Sequence, residues 1–248
     1  MKNFKLLMVG LLVLVVTSCL RDDHAKPIDQ FGFSNGNAAA LIAGSLAVNS
    51  NGVVVASSDV VFTSQSLAGQ NLACGTVRAD TINRQNPTGA SYTYNYHSTY
   101  NFVVNCNSSN QPDNTSSSLV YSGSYSNTNY SSMNSGSSTF TTTGLAPSST
   151  QIVLNGDFKQ AGSFQSTTTT TVTGNHNIDI MLQNLTFTKA TKSIASGTAN
   201  ISVTGSTPNQ GSFSYTGTLL FNGNNTATLT LNQVVYKIDL ITGVVTKM

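Results

Sequence analysis

The chain has 248 residues, of which only 8% are charged, and its formal net charge at pH 7 is +2. It contains nine Asp and no Glu, whereas Ser, Thr and Asn are abundant, so its solubility rests on hydroxyl and amide groups rather than on charge. A near-neutral chain lacks the basic surface that nucleic-acid binding needs, and it has no electrostatic attraction to anionic membranes.

The N-terminus is organised like an export signal. Lys2 and Lys5 precede a nearly unbroken apolar run at residues 6–16, which is long enough for a signal peptide but too short to span a bilayer. The run ends in Val16-Thr17-Ser18-Cys19, which resembles the lipobox of bacterial lipoproteins. The resemblance implies a signal peptide over residues 1–18 and acylation of Cys19, whose lipid chains hold such proteins at a membrane. An ordinary signal peptide with a chance cysteine is the alternative.

The residues that follow Cys19 bear on the location of the anchor. Leu20-Arg21-Asp22-Asp23 resembles the signal that sends some Gram-negative lipoproteins to the outer face of the outer membrane. The resemblance implies a lipid-anchored outer-membrane protein that faces the cell exterior, with outer-membrane lipid as the partner of its acylated N-terminus. An inward-facing outer-membrane lipoprotein is the alternative. Residues 19–37 are predicted to be a flexible tether, and residues 38–248 a single β domain.

The elements predicted beyond the tether are almost all strands. Residues 38–48 suit either a short helix or a first strand, and no helical period longer than one or two turns is present. The clearest strand is 92–106, where Tyr, Phe and Val alternate with polar residues. Residues 107–118 and 127–138 have little apolar content and are predicted to be loops or polar strand edges. Further strands are predicted at 53–64, 72–78, 119–125, 138–142, 151–158, 164–172, 178–188, 195–203, 211–221, 227–231, 234–240 and 244–247.

Turn residues and one phase change suggest how these strands are joined. Hairpin turns are predicted at Asn155-Gly156, Gly174-Asn175 and Asn222-Gly223, because Asn and Gly tolerate positive φ. The apolar phase changes between Leu182 and Leu185, which predicts a β-bulge near Asn184. Sequential hairpins predict an all-β fold, an antiparallel meander that forms a β-sandwich or a barrel-like sheet. An elongated open sheet is the alternative.

Two cysteines remain after Cys19. Cys74 and Cys106 lie in the part of the chain that is expected to be exported, where disulfides persist. Neither has a His or Cys neighbour at metal-ligand spacing. A disulfide between them is therefore preferred to a metal site or a catalytic pair.

No sequence motif indicates a reaction. The Asp residues from Asp29 onward are spread singly, and Asp179 and Asp239 lie on polar strand faces, where carboxylates are solvated. His24, His97 and His176 are too far apart for a local metal site, and we expect them to be solvated. Because no nucleophile elbow, phosphate loop or dinucleotide fingerprint occurs, we predict no catalytic residue, metal or cofactor.

Seven of the nine tyrosines lie between Tyr92 and Tyr130. Six of them share a strand face with other tyrosines: Tyr92, Tyr94, Tyr96, Tyr100, Tyr121 and Tyr125. These six are candidate ligand-binding residues, because aromatic rings stack on sugar rings. The simpler interpretation is that they line the core with their hydroxyls at its rim, since the same face continues into Phe102 and Val104.

Three functions fit these features. The favoured one is a non-catalytic surface lipoprotein that binds or adheres to a glycan or to a host or envelope protein, or that has a structural role in the envelope. The second is a carrier whose barrel holds a lipid or another apolar ligand, which predicts an empty apolar cavity. The third is a hydrolase of envelope polymers, which predicts that Asp and His residues converge in a cleft.

Overall fold

The computed structural model describes residues 32–70, 72–167, 171–208 and 210–248. Two helices come first, α1 (Asn35–Leu46) and α2 (Val53–Gly69). Eleven strands follow in chain order: β1 (Val77–Gln85), β2 (Thr93–Cys106), β3 (Pro112–Ser126), β4 (Tyr130–Thr143), β5 (Gln151–Ser166), β6 (Val172–Thr188), β7 (Ser193–Thr207), β8 (Gly211–Gly223), β9 (Thr226–Leu231), β10 (Val234–Asp239) and β11 (Val245–Lys247). Because Cys19 and His24 lie outside the described residues, the structure does not bear on the lipidation site.

All eleven strands form one antiparallel sheet in which each strand pairs with the next in sequence. The predicted all-β meander is confirmed. The first and last strands of the sheet order, β1 and β11, are not neighbours, so the sheet is not closed. Of the predicted architectures, the open sheet is the one that the molecule adopts.

The two helices cover one face of this sheet. Along each long strand buried residues alternate with exposed ones, as in β3 and β7. We call the face with the buried side chains the inner face and the opposite one the outer face. Helix α2 packs against β2–β5, and α1 packs against α2 and β9–β11. The core therefore lies between the inner face and the helices, with Phe102, Phe158 and Ile180 almost fully buried.

The helix α2 shows that the predicted strand at 53–64 is wrong, as is the prediction that no helix exceeds two turns. Its sequence, VVVASSDVVFTSQSLAG, is rich in β-branched residues, which favour strands. However, its buried residues recur at the spacing of a helix face: Val53, Ala56, Ser57, Val60, Val61, Ser64 and Leu67. Burial of this face overrides the local propensity.

Residues 38–48, for which a helix and a strand were both open, belong to a helix. Ser34 accepts a hydrogen bond from the Asn37 backbone N–H and caps α1. Phe33 is only 5% exposed and stacks on Phe213 with ring centroids 4.0 Å apart. Residues 33–37 of the expected tether thus belong to the folded part of the chain.

Several predicted strand and turn positions are wrong. Residues 72–76 precede β1 rather than form a strand, and the predicted strand 164–172 contains the connection between β5 and β6. Two predicted turns, Asn155-Gly156 and Gly174-Asn175, lie inside strands, whereas Asn222-Gly223 lies at the end of β8 as predicted. The polar segments 107–118 and 127–138 are mainly strands of the sheet. Their outward Ser and Thr residues suit the open outer face, and the sheet buries their inward ones, such as Ser117 and Ser132. The remaining ten predicted strands overlap β2–β11.

The β-bulge expected near Asn184 is confirmed. The pairing of β6 with β7 shifts between Gln183 and Thr186, and Asn184 has a φ of 51°. Its backbone N–H donates to the Asn155 side chain across the strand pair, at 2.8 Å. The neighbouring strand β5 shifts register at the same level, between Leu154 and Gly156, so the irregularity crosses two strand pairs.

Candidate functional site

The candidate tyrosines all lie on the inner side of the sheet, on β2, on β3 or, in the case of Tyr92, directly before β2. Tyr96, Tyr100, Tyr121 and Tyr125 are at most 6% exposed and belong to the core. Tyr92 and Tyr94 are half-buried and lie at its rim. Ring centroids 6.1–6.5 Å apart connect all of these residues except Tyr100, and Tyr130 joins the set through Tyr125. We call this set the tyrosine cluster: Tyr92, Tyr94, Tyr96, Tyr121, Tyr125 and Tyr130.

The hydroxyls of the buried members bond to neighbouring strands. Tyr96 Oη accepts from Asn134 Nδ2 at 3.3 Å, and Tyr121 Oη donates to the backbone carbonyl of Lys159 at 3.2 Å. Burial raises the pKa of both hydroxyls, so they stay protonated at physiological pH. Tyr92 and Tyr94, which stack on each other with an interplanar angle of 10°, are the two candidate residues with rings open to a ligand.

A row of inward positions crosses the sheet next to the tyrosine cluster and alternates large residues with glycine. In the strand register it reads Tyr96, Gly123, Asn134, Gly162, His176, Gly205 and Phe213. A Cβ on Gly123 would lie 2.3 Å from the Tyr96 ring, so only glycine fits beneath it. The glycines make room for large side chains on the neighbouring strands, and the row thereby places two polar side chains inside the molecule.

His176, one of these two polar residues, is 1% exposed, so the expectation that it is solvated is wrong. Its Nε2 accepts a hydrogen bond from the Gln160 amide at 3.1 Å. Burial lowers the pKa of His176 to about 4, which keeps the imidazole neutral at pH 7. His176 Nδ1 and Asn134 Oδ1 are buried without a partner among the described residues. His97, by contrast, is exposed as predicted and contacts Asn83 Oδ1 through Nδ1 at 2.7 Å.

Among the described residues, the shortest ion pair joins α2 to the sheet. Both Asp59 carboxylate oxygens accept from the Arg84 guanidinium at 2.6 Å, and Tyr100 Oη donates to the same carboxylate at 2.8 Å. The hydrogen bond with Asp59 raises the pKa of Arg84, and burial together with the Asp59 charge raises that of Tyr100. Because it already accepts three hydrogen bonds, Asp59 is a structural residue rather than a free base.

A groove of about 610 Å³ lies beside this contact, between α2 and β1. Helix α2 supplies Asp59, Phe62 and Ser66 to its wall, and β1 supplies Arg78 and Asp80. Two of the three arginines of the chain, Arg78 and Arg84, are on β1. Sequence reasoning missed this site, because Asp59 and Tyr100 are 41 residues apart; the one available signal was that Asp59 is the only charge in α2.

Two shallow depressions, of about 510 and 550 Å³, lie on the outer face across β2–β7. Short hydroxyl and amide side chains line them, among them Ser122, Ser135 and Asn177, and both include Ser135 and Ala161. Their charged residues are Lys159 and Asp179, which lie 3.9 Å apart and are both about half exposed. The depressions together offer a neutral surface with many hydrogen-bond donors and acceptors.

The carboxylates expected to be solvated are at the surface. Asp179 faces outward on β6, and Asp239, at the end of β10, accepts from the Ile241 and Thr242 backbone N–H groups. The backbone hydrogen bond from Thr242 is the main cause that lowers the pKa of Asp239, so this carboxylate stabilises a turn. Within the described ranges, no three His, Cys, Asp or Glu side chains come together in a way that could hold a metal ion.

The predicted disulfide is confirmed. Cys74, in the segment between α2 and β1, is bonded to Cys106 at the end of β2, with Cα atoms 5.5 Å apart. It ties the first strand of the sheet to its neighbour. Among the described residues, neither helix has the length and apolar character needed to cross a bilayer. No known protein family, curated protein or solved structure matches the chain significantly, so the residues and their geometry are what support a function.

Proposed function

We propose that this protein is a non-catalytic lipoprotein, anchored through an acylated Cys19 at the outer face of the outer membrane, whose β domain is a binding or envelope-structural module. The observation that supports this proposal most is that helices fill the inner side of the sheet. Side chains of α1 and α2 occupy the space that an apolar ligand would need, including Ile42, Leu46, Val60 and Val61, all fully buried. A lipid carrier needs that space empty.

The outer face is the contact surface that we assign to this module. It presents short Ser, Thr and Asn side chains on a rigid sheet, and ordering such side chains on binding costs little conformational entropy. Its depressions hold one exposed ion pair and otherwise neutral polar groups. A neutral hydroxyl-rich polymer such as a glycan matches this chemistry, and so does a polar protein surface. The half-buried rings of Tyr92 and Tyr94 form a second, smaller contact region.

Anchoring is tested with labelled palmitate in cells that express the full chain. We expect incorporation into the native chain and none into Cys19→Ala, since the thiol accepts the lipid. Protease treatment of intact cells then reports the exposed side: the native chain is expected to be degraded. A chain that stays unlabelled would refute the anchor, and a labelled chain that survives protease would place the domain on the inner side.

Binding is tested by screening the full chain against envelope and host glycans and matrix proteins. Ser135→Arg places a long side chain where the two outer depressions meet, and we expect it to abolish binding at the outer face. Tyr92→Ala removes an accessible ring of the tyrosine cluster and is expected to have little effect on binding. If Tyr92→Ala abolishes binding and Ser135→Arg does not, the contact surface is the tyrosine cluster instead.

A further inference from the structure

The two edges of the sheet differ in a way that bears on assembly. β11 is a three-residue strand, too short to extend a sheet. β1 has nine residues and pairs with β2 in one unbroken register from Val77–Val103 to Gln85–Asn95. The disulfide holds its start against β2. The sheet thus ends on one side in a long, regular and firmly held strand.

Two backbone hydrogen bonds, one at each end of β1, show which of its residues direct their N–H and C=O groups toward β2. Asn86 N–H donates to the Tyr94 carbonyl, and the Thr76 carbonyl accepts from Val104 N–H, so the even-numbered residues face β2. Because the backbone groups of successive strand residues point to opposite sides, the odd-numbered residues face away from β2. Ala79, Thr81 and Asn83 therefore direct their N–H and C=O groups toward the open edge.

The inner-face side chains of β1 form an alternating charge pattern. Arg78, Asp80, Ile82 and Arg84 lie opposite the inward residues Phe102, Tyr100, Ser98 and Tyr96 of β2. Inward charges often protect an edge strand against unwanted pairing. Here, however, the pattern is complementary to itself: when two copies are placed antiparallel with Ile82 opposite Ile82, each Asp80 lies opposite the Arg84 of the other copy.

We propose that two copies of this chain pair through β1, antiparallel about a two-fold axis at Ile82, to form one continuous sheet. Ala79, Thr81, Asn83 and Gln85 then supply the ladder hydrogen bonds. Directly opposite side chains of opposite charge stabilise such a pair. Although Arg84 already donates to Asp59 through both terminal nitrogens, a guanidinium has five N–H groups and can also donate to Asp80 of the second copy.

The charge pattern disfavours two neighbouring registers. Moving the axis by one residue to Thr81 places Arg78 opposite Arg84 of the second copy, and moving it by two, to Asp80, places the Asp80 carboxylates opposite each other. Like charges directly opposite destabilise a strand pair. The groove between α2 and β1, about 610 Å³ in volume, lies on the same inner side and leaves room for the inner side chains of the added strand.

The register is tested by disulfide trapping in the full chain purified in mild detergent, with Cys19→Ser in every sample. Ile82→Cys is expected to cross-link two chains under mild oxidation, because opposite residues of a non-hydrogen-bonded pair have Cα atoms only about 4.5 Å apart. Thr81→Cys is the matched control. It is expected to cross-link at most a tenth as fast, since residue 81 lies opposite Asn83 of the second copy, two residues away from the cysteine of that copy. Preferential cross-linking of Thr81→Cys would overturn the register.

The charge pairs are tested by sedimentation of the same chain over a range of concentrations. Asp80→Lys places Lys opposite Arg84 at both ends of the pairing and is expected to raise the dimer dissociation constant about tenfold or more. Because Asp80 is exposed, its replacement is expected to leave the circular-dichroism spectrum unchanged. Asp113→Lys makes the same charge change on an exposed hairpin residue and is expected to have no effect. A native chain that stays monomeric at all concentrations, or a dimer insensitive to Asp80→Lys, would overturn the proposal.

Discussion

Replacing Asp59 by Ala removes the polar contact that holds α2 against the sheet. The carboxylate accepts two hydrogen bonds from Arg84 and one from Tyr100. Arg84 has a side chain that is 29% exposed, so after the substitution it can turn to water. Tyr100 is 2% exposed, so its hydroxyl stays buried without an acceptor.

The expected loss of stability is the sum of the effects on Tyr100 and Arg84. A buried hydroxyl left unsatisfied costs about 1–3 kcal/mol. The ion pair, which is partly exposed, contributes about 1 kcal/mol. We therefore expect Asp59→Ala to lower the free energy of unfolding by about 3 kcal/mol, which for a domain of this size lowers the melting temperature by about 6–12 °C.

The assay is thermal and urea unfolding of the full chain, followed by circular dichroism. Asp113→Ala, at an exposed carboxylate, is the control and is expected to stay within about 0.5 kcal/mol of the native chain. In Asp59→Ala/Tyr100→Phe the orphaned hydroxyl is gone, so part of the lost stability is expected to return. If Asp59→Ala unfolds like the control, this contact does not hold α2.

Three further predictions concern the interior and the disulfide. Since burial lowers the pKa of His176 from 6.5 to about 4, the unfolded chain binds a proton that the folded chain does not between these values, so stability falls as pH falls through this window, by about 3 kcal/mol in total. His176→Gln is expected to reduce that pH dependence in urea unfolding between pH 7 and 5.5, and His97→Gln is not. Gly136→Ala is expected to cost about 2–3 kcal/mol, because its Cβ would lie 1.9 Å from the Lys159 carbonyl oxygen, whereas Gly69→Ala has open space and is expected to be neutral. Replacing both Cys74 and Cys106 by Ser is expected to cost about 3–4 kcal/mol by the same assay, and a loss below 1 kcal/mol would contradict the cross-link's role in stability.

Local sequence patterns predicted the sheet well because its strands alternate strictly. In β2 the inward set from Tyr96 to Val104 could be identified without any knowledge of the neighbouring strands. The bulge at Asn184 was visible for the same reason, as a change in phase. Hairpin positions were less certain, because Asn-Gly and Gly-Asn pairs also occur inside strands, where Gly156 and Gly174 face the aromatic rings of Phe140 and Phe164 on the paired strands.

The candidate sites were harder to predict because they depend on contacts between distant residues. The position of His176 beside a supposed turn suggested exposure, but the cross-strand row places it between Gly162 and Gly205 inside the molecule. Likewise, the pairing of Asp59 with Arg84 and Tyr100 requires α2 to be a helix. Because its β-branched composition favours a strand, the incorrect assignment of α2 concealed this contact as well.

The open sheet explains why α2 is a helix although its sequence resembles that of a strand. An inner face this apolar has to be covered by helices or by a second sheet, and in this protein the two helices cover it. A helix with a face of small residues can lie close to the sheet, and α2 buries Ala56, Ser57 and Ser64 there. Its Ser64 accepts a hydrogen bond from Thr115 of β3 at 2.6 Å, so this polar side chain has a specific partner on the sheet. Filling the inner side in this way leaves the outer face and the β1 edge available for contact with other molecules.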